Sequence, residues 1–251
     1  MFGQAAAVDP RLAIAGLAVG LLVGATGMGG GALMAPVLIL LGIRPLAVVG
    51  SDLAYSTIMK LFGAAQHARF GTVEWPTVRR LAVGSLPGAL VGVALLQRVS
   101  QDQVDVLITR TLALTLVVVA ATMLISAAFP QVRPRPIPPC GLTLLGFVVG
   151  ALVSITSVGS GTLIVAVLAL STSLPARTIV GTDIVHALLL VAVATAAHVQ
   201  AGSIDVGLTA NLLLGAIPGV LVGGRLGLRL PERVLRPTLG AVLLISGLKL
   251  L

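Results

Sequence analysis

Residues 24–33 read GATGMGGGAL, and residues 154–163 read SITSVGSGTL. Each stretch interrupts a long apolar run. Glycine is among the poorest helix formers, so Gly29, Gly30 and Gly31, and Gly159 and Gly161 beside Ser160, predict breaks in two helices. A break bares backbone N–H groups, and those at the start of the following half-helix attract anions, helped by the positive end of the helix dipole. The simpler role of such glycines is close helix packing. The short apolar segments that follow, 31–43 and 161–172, fall below the roughly 20 residues that a bilayer crossing needs. They read as returning arms of re-entrant hairpins or as halves of broken helices. No strand or Gly-Lys-Ser/Thr pattern accompanies the glycines, so a phosphate-binding P-loop is excluded.

The surrounding composition puts these breaks in a membrane. The chain has 251 residues, 57% hydrophobic and 10% charged, with mean hydropathy +1.11. A soluble domain carries about 25% charged residues. Further apolar stretches at roughly 12–28, 46–66, 79–97, 107–128, 141–157, 178–199, 206–228 and 234–251 complete an all-α polytopic pattern. The net charge of +8 does not point to nucleic acid, because most arginines lie in short loops between apolar segments. Asp9, Pro10 and Arg11 precede the first segment and no cleavage pattern follows, so that segment is expected to be retained. The single cysteine, Cys140, excludes an internal disulfide.

The chain also reads as a duplication. At an offset of about 131 residues Gly50-Ser51-Asp52 faces Gly181-Thr182-Asp183, His67 faces His198, Gly71 faces Gly202 and Glu74 faces Asp205. Gly84, Pro87, Gly88 and Gly92 likewise face Gly215, Pro218, Gly219 and Gly223. A first transmembrane repeat at 1–128, a Pro/Arg-rich linker at 129–140 and a second repeat at 141–251 together form one transmembrane domain. If each repeat holds a broken or re-entrant helix pair followed by three transmembrane helices, one side of the membrane collects ten of the Arg and Lys residues of the loops and ends and the other five. Four simple spans per repeat give eight against seven. The positive-inside bias therefore favours inverted repeats, with both termini outside.

Asp52 and Asp183 fall near the starts of long apolar spans. They read either as helix N-caps, the simpler role, or as buried carboxylates that couple transport to protons. Lys60 lies too deep in its span to snorkel easily and calls for an anionic partner: a carboxylate or a substrate. His186 aligns with Tyr55 and reads as a substrate ligand, a proton relay or a satisfied core histidine. His67 and His198 read as interfacial helix ends, Trp75 as an interface anchor, and Pro87 and Pro218 as matched kinks or packing sites.

GMGGGALMAPVLILLG (27–42), GSDLAYS (50–56), HARFGTVEW (67–75) and SLPGALVGV (85–93), with GSGTL, GTDIVH, HVQAGSIDV and AIPGVLVGG in the second half, resemble the sulfite exporter TauE/SafE family. The resemblance covers nearly the whole chain. It implies an inner-membrane permease for small sulfur-containing anions such as sulfite, sulfonates or sulfoacetate. The family's usual Gly-Thr-Ser is altered here, because Asp52 and Asp183 stand where the serine is expected. The anion is expected between the breaks, held by Gly29, Gly30, Gly31, Gly159, Ser160 and Gly161. Thr26, Ser51, Thr156 and Thr182 add hydroxyls, Lys60 and His186 add side-chain contacts, and Asp52 or Asp183 carries a proton. Partners are the substrate and the bilayer, with no cofactor and room for a homodimer. Two other classes compete. A cation or metal permease would use the Asp pair, though Lys60 would repel a cation. An intramembrane serine hydrolase would use Ser160 with His186 or His198, though the other half carries Gly30 at the serine's place.

Overall fold

The computed structural model describes residues 9–26, 31–128, 137–227 and 232–251. Gly29, Gly30 and most of the linker lie outside these. The described residues form α-helices and no strand: α1 Pro10–Thr26, α2 Gly31–Leu40, α3 Pro45–Arg69, α4 Trp75–Arg98, α5 Gln101–Ala128, α6 Pro139–Thr156, α7 Ser160–Ser171, α8 Ala176–Gln200, α9 Val206–Gly227 and α10 Glu232–Leu250.

Proline starts several of these helices. Pro45, Pro76 and Pro139 lie in the first turns of α3, α4 and α6, where a missing N–H costs nothing. α6 accordingly begins inside the expected linker. Gly71 and Gly202 close the turns after α3 and α8 in the left-handed conformation, with φ of +63° and +67°. Within the described residues, five helices are long and apolar enough to cross a membrane: α4, α5, α6, α8 and α9. α3 matches them in length, at 25 residues, but carries Asp52, Lys60, His67 and Arg69. α2 and α7 have 10 and 12 residues. At 1.5 Å per residue they extend about 15 and 18 Å, short of the roughly 30 Å hydrocarbon core.

The helices pair across the halves. α1 packs on α9 and α6 on α4, while α3 packs on α8 and α5 on α10. Under exchange of α1–α5 with α6–α10 these pairings map onto themselves. Gly16 lies against Leu212, Gly20 against Ala216 and Gly223 against Leu21, so α1 and α9 run parallel. Gly84 lies against Thr143, Gly88 against Phe147 and Gly92 against Ala151, so α4 and α6 also run parallel. α3 and α8 run antiparallel: Gly63 faces Ile184, and Thr57 Oγ1 meets Thr195 Oγ1 at 2.9 Å. α5 and α10 run antiparallel too, with Gly240 near Leu124 and Gly247 near Ala113.

The matched glycines on α4 and α9 are therefore contact points. A Cβ at Gly84, Gly88, Gly215 or Gly223 would meet the partner's backbone carbonyl. In a bilayer, where hydrophobic burial does not drive helices together, such close approach supplies the association energy. Large apolar side chains such as Leu95, Leu114, Val118, Leu144, Leu214 and Leu221 remain exposed on the outside of the bundle. That is the surface of a protein solvated by lipid.

Candidate functional site

The centre of the bundle is polar. On α3, Ser51, Asp52, Tyr55 and Ser56 are buried, and on α8, Thr182, Asp183 and His186 are buried. Asp52 lies two turns inside α3 and Asp183 two turns inside α8. Neither caps a helix. This corrects the capping expectation, because proline at the helix start moves the N-terminus back to residues 45 and 176. Oδ1 of Asp183, Tyr55 Oη and His186 Nδ1 are buried with no hydrogen-bond partner, and the buried Asp52 carboxylate has only the Ser157 hydroxyl beside it. A buried polar group without a partner is costly, so such a cluster marks a place built for a ligand, a proton or water.

Ser51 and Thr182 bind the backbone of two loops. Ser51 Oγ accepts the Asp205 N–H at 3.0 Å and donates to the Asp205 carbonyl at 3.1 Å. Its twin Thr182 accepts the Glu74 N–H at 2.9 Å. Each hydroxyl thus ties down the loop that leaves the other half's long helix. At the neighbouring glycines, Gly50 and Gly181, the carbonyls of Ser203 and Thr72 come so near that no Cβ would fit. The loop after α3 sits over the start of α8, and the loop after α8 sits over the start of α3.

The second break is fully described. α6 ends at Thr156, Ser157 takes a left-handed conformation at φ +59°, Gly159 follows at φ +112°, and α7 begins at Ser160. Thr156 is spent within the break. Its hydroxyl donates to the Leu152 carbonyl at 2.7 Å, and the Val158 N–H reaches it at 3.2 Å. α7 has no side-chain cap, and its first return bond is Leu163 N–H to the Gly159 carbonyl at 3.3 Å. The N–H groups of Ser160, Gly161 and Thr162 precede that bond and have no acceptor within their own helix. Around them lies a void of about 10 Å³, lined among others by Ser56, Lys60, Ser157, Thr162 and Val191. Thr162 Oγ1 is buried there without a partner, and the buried Ser157 hydroxyl lies beside the Asp52 carboxylate. In the first half, Thr26 closes α1, Gly31 opens α2, and Ala32 lines the same void.

Lys60 brings the one ammonium to this place. It is half-buried and lies within electrostatic reach of Asp52, Asp183 and His186. It pairs closely with neither carboxylate: the one ion pair among the described residues is Arg44–Asp105, 3.5 Å apart at the surface.

The histidines are committed elsewhere than to Ser160. His186 Nε2 shares a hydrogen bond with Ser85 Oγ at 2.8 Å. His198, in the last turn of α8, is buried within the bundle. Its Nε2–H donates to the Ser154 carbonyl at 2.8 Å, and its Nδ1 meets Ser203 Oγ at 2.7 Å. His67 keeps the twin of that second contact, Nδ1 to Thr72 Oγ1 at 2.8 Å. The hydrolase dyad therefore has no geometric support in these bonds. Among the described residues no three His, Cys, Asp or Glu side chains gather as metal ligands.

Crossing helices, two interrupted segments and a polar centre define a multi-pass membrane transporter. The model of the family described as sulfite exporter TauE/SafE matches residues 12–250, and the chain belongs to that family. It is 41% identical over 247 residues to a probable membrane transporter protein YjnA of Bacillus subtilis (strain 168), covering 94% of this chain and 97% of the relative. It is 28% identical over 247 residues to a probable membrane transporter protein y4hK of Sinorhizobium fredii (strain NBRC 101917 / NGR234), covering 96% and 97%. No solved structure matches.

Proposed function

We propose that this chain is a secondary transporter that carries small sulfur-containing anions, such as sulfite, sulfonates or sulfoacetate, across the inner membrane. The observation that carries this is the placement of Lys60 beside the uncapped start of α7. An ammonium, three amides without helical acceptors and the unpaired hydroxyl of Thr162 converge on one void, with the Ser157 hydroxyl on its wall. Every donor there favours an oxyanion, and the dipole of α7 adds positive potential. From the first half, Ala32 at the start of α2 also lines this void.

The void, at about 10 Å³, holds roughly one water. The described state is thus closed over its site, and an anion enters when one half moves against the other. The antiparallel course of α3 against α8, and of α5 against α10, supports inverted repeats, and the loop arginine bias favours both termini outside. Asp52 and Asp183 are the carboxylates that take up a coupling proton, and His186 assists. Ser51 and Thr182 act as loop ties whose release opens either face.

The test is sulfite uptake by the purified chain in proteoliposomes, with and without a pH gradient. Lys60→Ala should lower flux at least tenfold while helix content and yield stay unchanged. Undiminished flux in that variant removes Lys60 from the site and the anion assignment with it.

A further inference from the structure

Lys60 and Val191 are twins in the duplicated sequence, at the same offset that matches Asp52 with Asp183 and His67 with His198. They are also neighbours in space, because both line the central void. The crossing of α3 and α8 explains this: Thr57 meets Thr195 and Gly63 meets Ile184, so Lys60 falls opposite the stretch around Val191. A residue and its twin can lie side by side only where the axis relating the halves passes. The rest of the centre comes in pairs, Asp52 with Asp183 and Tyr55 with His186. On the axis itself the pairing is broken, with an ammonium on one side and a buried isopropyl group, 1% exposed, on the other.

That asymmetry bears on ligand charge. A charge taken out of water must be matched nearby, or it is not taken. With Lys60 protonated and the proposed coupling carboxylates Asp52 and Asp183 neutral, the void offers one positive charge and a helix end equivalent to about half a charge. The nearby ionisable side chains, Asp52, Asp183, His186 and Tyr55, include no second permanent cation. A doubly charged anion would leave one charge uncompensated, and Val191 occupies the one position where the repeat would supply the missing cation.

We infer that Val191 sets the charge class of the substrate and that the site accepts singly charged oxyanions and rejects doubly charged ones. This rests on the anion-transport function proposed above. It narrows the candidates to bisulfite and monosulfonates, and excludes sulfoacetate and sulfate.

Methanesulfonate and sulfate test this cleanly, since they share a tetrahedral shape and differ by one charge. In proteoliposomes of the full chain carrying sulfite flux, methanesulfonate should compete at least tenfold better than sulfate. Val191→Lys should shift that ratio toward sulfate at least tenfold. Lys60→Val alone should lose flux, and adding Val191→Lys, which restores one axial cation, should recover part of it with the original preference. Equal competition by the two anions in the unaltered chain overturns the inference without any variant. So does a Val191→Lys protein that carries sulfite with an unchanged ratio. Sulfite flux that survives Lys60→Val instead overturns the underlying anion site, a separate and distinguishable result.

Discussion

Ser157 is the one non-glycine residue among those described that holds a positive φ, at +59°. An L-residue in that conformation costs about 1–2 kcal/mol. Ser157→Gly should therefore match or raise thermal stability in detergent, yet weaken sulfite competition, because the hydroxyl that lines the void beside Asp52 is lost. Ser157→Val should lower stability by about 1 kcal/mol or more, since β-branched residues fit this region worst. Scanning fluorimetry and flux measured on the same samples separate the two effects. At this scale the sequence showed which residues are buried better than it showed their duties. The depth of Lys60 and the glycine breaks followed from their places in apolar runs. Asp52 read as readily as a cap, because proline sets the helix start, and Asp52 is two turns further on. Ser51 and Thr182 read as ligands because a hydroxyl beside a buried carboxylate suggests one. Their engagement with Asp205 and Glu74 depends on contacts more than 100 residues apart, which spacing cannot reveal. Ser157 and Val191 escaped notice, although the alignment of Val191 with Lys60 was the available signal.

The helices gain their contacts from small residues on both partners. Gly84, Gly88 and Gly92 on α4, with their twins on α9, were matched from the sequence. The receiving residues Gly16 and Gly20 on α1, and Gly146 and Gly150 on α6, were not, though they too repeat, at an offset of about 130. Their partners lie on helices distant in sequence, so periodicity within one helix does not single them out. Gly84→Val should push α4 off α6, because its Cβ would strike the Thr143 carbonyl. Overpacking of this kind costs about 1–3 kcal/mol or more. The expected result is a drop in melting temperature and in monodisperse yield. Pro87→Ala, at an exposed position, should be far milder.

The whole molecule is defined by helix direction. α1 with α9 and α4 with α6 run parallel, while α3 with α8 and α5 with α10 run antiparallel. Phe70 and Ala201, exposed twins just after α3 and α8, then belong at opposite ends of the bundle. With Cys140 replaced by Ser, a cysteine at position 70 and one at position 201 should react with an impermeant maleimide from opposite sides of the membrane. Labelling of both from one side would rule out the inverted arrangement. The short α2 and α7 were legible in the sequence because a glycine cluster and too few apolar residues coincide. Which helix packs on which was not, since nearly every one is apolar on all faces.

The pairing of α1 with α9, and of α6 with α4, also orders the protein's biogenesis. The glycine face of α1 is made first, yet its match is not synthesised until α9 leaves the ribosome, almost two hundred residues later. Through most of translation the nascent N-terminal segment must sit in lipid, or beside an insertase, with its small-residue groove unfilled. Each half, released alone, would present such a vacant groove, which makes this chain a single commitment rather than two modules joined by a tether.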